Sequence, residues 1–145
     1  MRVNIKKLHE NAIVPTYGTE FSAGADLYAC MEEAVTILPG KTEMIHTGIA
    51  MEVPVGYAGL VYARSGLACK KGLAPANKVG VVDADYRGEI RVLLCNLGHN
   101  PVNIVNTMRI AQLVVSPCEH VEWEEVDELS DTQRGDGSFG STGII

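Results

Sequence analysis

The stretch Gly88-Glu89-Ile90-Arg91-Val92-Leu93-Leu94-Cys95-Asn96 decides the fold class of this chain. Arg91, Leu93 and Cys95 alternate with Val92, Leu94 and Asn96, the period of a strand whose successive side chains point to opposite faces. So few of these residues are polar that the strand is expected to be covered on both faces, its sheet packed against a second one. Outward from it, six more segments rich in Val, Ile, Leu and Thr read as strands: 3–7, 34–38, 41–51, 57–62, 102–105 and 109–115. Glycines and prolines, 15 and 6 in number, fall between such segments, the punctuation of an all-β domain with many turns. Only 65–71 reads as a short helix, with Ser65 to cap its start and Gly72 to end it. The predicted fold is all-β, a jelly-roll or related β-sandwich, without internal repeats.

At 145 residues the chain fits one domain with room for a core. Twelve Lys and Arg against eighteen Asp and Glu leave a formal charge of -6, which repels a polyanionic duplex, so no nucleic-acid partner is expected. A small phosphorylated ligand is compatible with that charge, because a few arginines and a divalent cation reverse the field inside a pocket. The four cysteines, Cys30, Cys69, Cys95 and Cys118, are scattered singly without histidines at ligand spacing, which speaks against zinc and for reduced thiols in a cytoplasmic protein. No apolar run follows the basic start at 1–7, and none approaches a membrane span, so neither secretion nor insertion is expected. His9, His46, His99 and His120 form no cluster and are assigned no chemistry.

Five segments carry candidate chemistry. Ala23-Gly24-Ala25-Asp26-Leu27-Tyr28-Ala29 places one carboxylate in a small-residue turn leading into an apolar run; a plain turn into a strand accounts for it equally. In Ala63-Arg64-Ser65-Gly66-Leu67-Ala68 an arginine, a hydroxyl and a glycine meet at a helix start, where free N–H groups favour an anion, or else merely cap the helix. Asn77-Lys78-Val79-Gly80-Val81-Val82-Asp83-Ala84-Asp85-Tyr86-Arg87-Gly88-Glu89 reads as a hairpin: an apolar arm ends at Asp83, an acidic turn follows, and Gly88 restarts a strand. Asp83 there could be held rigidly at a cleft, as a general base must be, although hairpins carry such acids without catalytic duty. In Arg109-Ile110-Ala111-Gln112-Leu113, simple alternation puts Arg109, Ala111 and Leu113 on one face and Ile110 and Gln112 on the other. Gln112 among apolar neighbours needs hydrogen bonds, so it faces a polar site or a subunit contact, and Arg109 is read as a structural ion-pair partner. The last stretch, 131–145, alternates glycines with polar residues and offers too little apolar surface to offset about 1 to 2 kcal/mol of backbone entropy per residue. It is expected to be mobile until something binds, with Arg134, Phe139, Ser141 and Thr142 suited to close over a phosphorylated aromatic ligand; a tail without a role is the plainer account.

Taken together, A-G-A-D-L-Y-A, R-S-G-L-A, G-V-V-D-A-D-Y-R-G-E, R-I-A-Q-L and R-G-D-G-S-F-G-S-T-G resemble, in order and spacing, the five motifs of the trimeric dUTPase family, from about Ala23 to Gly143. The resemblance implies a jelly-roll homotrimer, the β-clip type of sandwich, with residues 1–130 as its body and 131–145 as a mobile lid donated from another chain to sites between subunits. It implies hydrolysis of dUTP to dUMP and pyrophosphate, which lowers dUTP and supplies dUMP for thymidylate synthesis. Asn77, Gly80, Val81 and Asp83 would read uracil, with Val82 among the substrate-binding residues, and Tyr86 would lie under the deoxyribose and exclude a ribose 2′-hydroxyl. Asp83 would activate the attacking water, with Gln112 beside the α-phosphate. Arg64, Ser65 and Gly66 would bind phosphates, Arg91 would add a contact, and Mg²⁺ would ride on the triphosphate with Asp26 acting through its water shell. Phe139 would stack on uracil while Arg134, Gly140, Ser141 and Thr142 close the outer phosphates. Three positions depart from the family pattern: Ala63 for a common proline, Ser138 for a usual glycine, and Thr107-Met108 for a glycine-acidic pair. A dCTP deaminase of similar fold and a non-catalytic nucleotide sensor are the alternatives; Asp83 and Tyr86 favour hydrolysis over the first, and the presence of both Asp83 and the tail argues against the second.

Overall fold

The computed structural model describes residues 1–138; the expected contacts of Phe139, Gly140, Ser141 and Thr142 lie outside the described residues. In chain order the elements are β1 (Asn4–Lys7), β2 (Thr16–Tyr17), β3 (Ala25–Tyr28), β4 (Val35–Ile37), β5 (Thr42–His46), β6 (Ile49–Glu52), β7 (Tyr57–Tyr62), α1 (Ser65–Lys71), β8 (Leu73–Pro75), β9 (Gly80–Val82), β10 (Arg91–Asn96), β11 (Val102–Ile104) and β12 (Arg109–Pro117). The all-β class is what the chain adopts. Its strands form a five-stranded sheet in the order β2-β3-β12-β7-β9, a three-stranded sheet β5-β10-β8, and the pairs β1-β6 and β11-β4, every ladder antiparallel.

One apolar cluster joins these sheets. Leu27 and Ile110 come from the five-stranded sheet, Ile45 and Leu94 from the three-stranded one, and Ile37, Ile49 and Ile104 from the pairs, all essentially without solvent exposure. Each such side chain contributes about 1.5 to 3 kcal/mol by leaving water. Two polar side chains, Thr47 and Asn96, are fully buried among the described residues, and Asn96 is satisfied: its amide donates to Ile37 O and Asn100 O at 2.8 Å each, and its oxygen accepts Gly98 N–H at 2.9 Å.

Several expectations are corrected. The single strand at 41–51 is two, β5 and β6, because Gly48 takes φ +67 and turns the chain between them. The two-residue β2 and the proline-containing β8 carry too little pattern to read from sequence. Helix α1 has the expected bounds and its Gly72 stop at φ +66, but Arg64 is the N-cap and no side chain caps it, so the Ser65 hydroxyl is not spent on the helix. Strand β10 buries Val92, Leu94 and Asn96 but leaves Arg91, Leu93 and Cys95 partly open, so one chain covers only one face. The expected hairpin does not pair with itself: β9 joins β7, while β10 joins β5 and β8. Its arms part into different sheets, and the gap between them is a cleft.

Candidate active site

That cleft, of about 360 Å³, is lined by Asn77, Gly80, Val81, Val82, Asp83, Tyr86 and Arg91 among others, residues expected to bind the base and the sugar together with the added contact of Arg91. Strand β9 is the edge of its sheet, so main-chain N–H and C=O groups on one side have no ladder partner and are free to pair with a ligand. A compact loop leads into it: Lys78 N–H donates to Pro75 O and Val79 N–H to Asn77 O, with Lys78 at φ +66. The Asn77 amide comes to rest against Gly80, where an added β-carbon would meet its nitrogen at 3.4 Å. Asp83 follows the buried Val82 and is exposed at the start of a turn closed by Tyr86 N–H donating to Asp83 O at 3.2 Å. Arg87 braces that turn by donating to Ala84 O at 2.7 Å and Tyr86 O at 3.0 Å.

The remaining predicted residues gather elsewhere. Asp26, Arg64, Ser65, Gly66 and Gln112 line a separate cavity of about 350 Å³, together with Gly24 and Arg109. Asp26 and Gln112 stand opposite each other across the β3–β12 ladder. A bulge between Arg109 and Ala111 breaks the simple alternation, setting Arg109 opposite Tyr28 and so on the face that Asp26 and Gln112 share. Arg109 Nη1 then reaches Asp26 Oδ2 at 3.3 Å, the structural ion pair expected of it. Arg64 Nε donates to Asp26 Oδ1 at 2.7 Å, and Gln112 Nε2 donates to Ala63 O at 2.8 Å. Two guanidiniums, a free hydroxyl and an oriented amide thus converge on one wall, an arrangement for phosphate.

The two cavities have no lining residue in common, so within one chain the predicted site is divided. Sequence reasoning passed over Gly24, whose β-carbon would overlap the Gln112 side-chain oxygen, and Gly88, whose β-carbon would overlap the Tyr86 ring. Only their place inside the motifs could have pointed to them. Glu89 and Arg87 carry no role in the sequence reading, since hydrogen bonds to main-chain groups, the Gly48 N–H for Glu89 and the Ala84 and Tyr86 carbonyls for Arg87, leave no trace in sequence. Among the described residues no group of three or more His, Cys, Asp and Glu could hold a metal ion. Asp26, the one carboxylate in the phosphate-suited cavity, already faces two arginines. Such a donor set fits Mg²⁺ carried on phosphate oxygens and water, and does not fit an ion caged by protein.

Comparison with known proteins identifies the family. The dUTPase family model matches residues 10–143. The chain is 48% identical over 144 residues to the deoxyuridine 5'-triphosphate nucleotidohydrolase of Rickettsia akari (strain Hartford), covering 99% of this chain and 97% of that protein. It is 49% identical over 145 residues to that of Ehrlichia canis (strain Jake), covering 98% and 95%. Among solved structures, Staphylococcus bacteriophage 80alpha dUTPase with dUPNHPP superposes with a TM-score of 0.91 at 28% identity over 99% of both chains. A mutant dUTPase from phage phi11 of S. aureus, whose structure concerns the coordination of a structural Mg(II) ion, gives 0.80 at 25% identity over 88% of this chain and 98% of that one.

Proposed function

This chain belongs to the dUTPase family, and from that premise we propose that it hydrolyses dUTP to dUMP and pyrophosphate by in-line attack of water on the α-phosphorus, with Asp83 as general base. The observation that carries the fuller reading is the division of the predicted site. Base-reading residues occupy one cavity and phosphate-suited residues another, which supports a complete site that takes the first from one chain and the second from a neighbour. A homotrimer with three sites between subunits meets that need, and another copy would cover the open Leu93 and Cys95 face of β10.

Each residue then has a physical task. The free edge of β9 and Asn77 pair with uracil, and cytosine presents the wrong donors and acceptors, a mismatch worth about 1 to 3 kcal/mol. Tyr86 supports the deoxyribose, and Arg91 lies at the same cleft. Asp83 orients and deprotonates water, typically worth about 10² to 10⁴ in rate, while Arg64, Ser65, Gly66 and Gln112 hold the phosphates in line. Mg²⁺ on the triphosphate would supply charge neutralisation, with Asp26 touching its water shell. Residues 131–145 serve as the lid of a body spanning 1–130, bringing Arg134 and, beyond it, Phe139, Gly140, Ser141 and Thr142 to the substrate. The reaction supplies dUMP for thymidylate synthesis, and four unpaired thiols suit a cytoplasmic setting. No helix among the described residues is long and apolar enough to cross a membrane.

Two assays test this. With Mg²⁺ and each of dUTP, dCTP, dTTP and UTP, pyrophosphate should come from dUTP; ammonia from dCTP would reverse the assignment. Arg64→Ala and Asp83→Asn chains, each inactive, should regain activity when refolded together, since random mixing leaves about a quarter of the sites with both intact halves. Mixed trimers without activity would place both halves in one chain.

A further inference from the structure

Glu89 lines the cleft beside Asp83 and, on its other side, a cavity of about 260 Å³ that also touches Cys30, His46 and Gly48. Both its carboxylate oxygens are committed: Oε1 accepts Gly48 N–H at 2.8 Å, and Oε2 lies 2.7 Å from His46 Nδ1. The next residue is tied to the same corner, because Ile90 N–H donates to Ile49 O at 2.8 Å and the Thr47 hydroxyl donates to Ile90 O. The corner is closely packed. Gly48 sits at φ +67, and a β-carbon there would lie 2.9 Å from Ala12 Cβ and Cys30 Sγ. On this anchor hangs Tyr86, whose hydroxyl donates to Glu89 O at 2.9 Å while its ring lies against Gly88.

We propose that Glu89, braced by His46, is a positioning residue for sugar discrimination: it fixes the carbonyl that holds the Tyr86 ring at the height that excludes a ribose 2′-hydroxyl. This rests on the reading of Tyr86 as the support of the deoxyribose. A steric filter works only if its wall does not retreat, and Tyr86, a residue 40% exposed, has little packing of its own to hold it. The hydroxyl tether supplies the stiffness, and the doubly bonded carboxylate transmits it from the Gly48 corner to the cleft.

The test compares kcat/KM for dUTP and UTP in the full chain and in Glu89→Ala, Glu89→Gln, Tyr86→Phe, Tyr86→Ala and the Glu89→Ala/Tyr86→Phe double variant. Glu89→Ala and Tyr86→Phe should each lower the dUTP:UTP ratio by about tenfold, the order of one lost hydrogen bond, chiefly by raising the UTP value. The double variant should fall no further than the worse single one. Glu89→Gln keeps an oxygen for Gly48 N–H but drops the charge facing His46, and should lose about twofold even if the alanine variant fails to fold. A wild-type ratio in Glu89→Gln and in every Glu89→Ala preparation that folds overturns the proposal, as do effects that multiply in the double variant. Tyr86→Ala separates the two ideas: an unchanged ratio there defeats the sugar-support reading itself, whereas a collapsed ratio with Glu89 variants at wild type defeats only the inference.

Discussion

Asp26 Oδ1 accepts the Arg64 Nε proton at 2.7 Å, with the acid's side chain 13% exposed and the arginine's 25%. The same carboxylate also faces Arg109, so Asp26→Asn keeps the shape but leaves two guanidiniums without their counter-charge. A loss of about 1 to 3 kcal/mol in stability is expected, along with about a tenfold fall in kcat/KM for dUTP as Arg64 loosens. Urea unfolding and steady-state kinetics measure both, and an unchanged kcat/KM would remove Asp26 from the site.

Gly24 owes its place to Gln112. The Gln112 amide is held by its bond to Ala63 O, and a methyl at position 24 would overlap its oxygen. Gly24→Ala should displace the amide and lower kcat by about 10- to 100-fold, the scale of an ångström of misplacement, with the β fold retained by circular dichroism. Full activity in this variant would show that the Gln112 orientation is immaterial.

Asp83 is exposed at its turn and makes no side-chain bond among the described contacts, so Asp83→Asn should cost little stability. Affinity for a non-hydrolysable dUTP analogue should persist while turnover drops by about 10² to 10⁴. Undiminished turnover would take the base role away from it.

Thr107 sits at φ +64, a conformation that a β-branched residue adopts only under strain. Thr107→Gly should therefore raise stability by about 1 kcal/mol despite the greater freedom of the unfolded chain. A lowered thermal midpoint would mean that the side chain compensates through contacts of its own.

Burial pushes the Cys30 thiol above its ordinary 9.0, the Glu89 carboxylate adds to the rise, and Lys7 draws it back. A protonated thiol is a poor nucleophile, so limiting iodoacetamide at pH 8 should label the exposed Cys69 and Cys118 first. Because the folded chain keeps this proton to higher pH than the unfolded chain, the stability linked to Cys30 is whole below pH 9.0 and is lost as pH rises through the raised value. Peptide mapping by mass spectrometry reads the order, and early labelling of Cys30 contradicts it.

Much of this molecule is legible in local pattern. Alternation at 88–96, 102–105 and 109–115 identifies strands because a half-buried strand must repeat every two residues, and Gly72 ends α1 because only a left-handed residue closes that turn. The motifs hold the groups proposed for the site, since carboxylate, guanidinium and amide cannot be exchanged for one another in phosphate chemistry. Pairing is another matter. Which strand β9 joins, where the bulge re-aims Arg109, and what Glu89 holds all depend on groups far apart in the chain meeting through main-chain atoms that every residue shares. The residue types of the site were thus set by sequence alone. Its division into two cavities was decided only by tertiary packing: the arms of one apparent hairpin find hydrogen-bond partners in different sheets and line one cavity between them, while the β3–β12 ladder gathers Asp26 and Gln112 at the other.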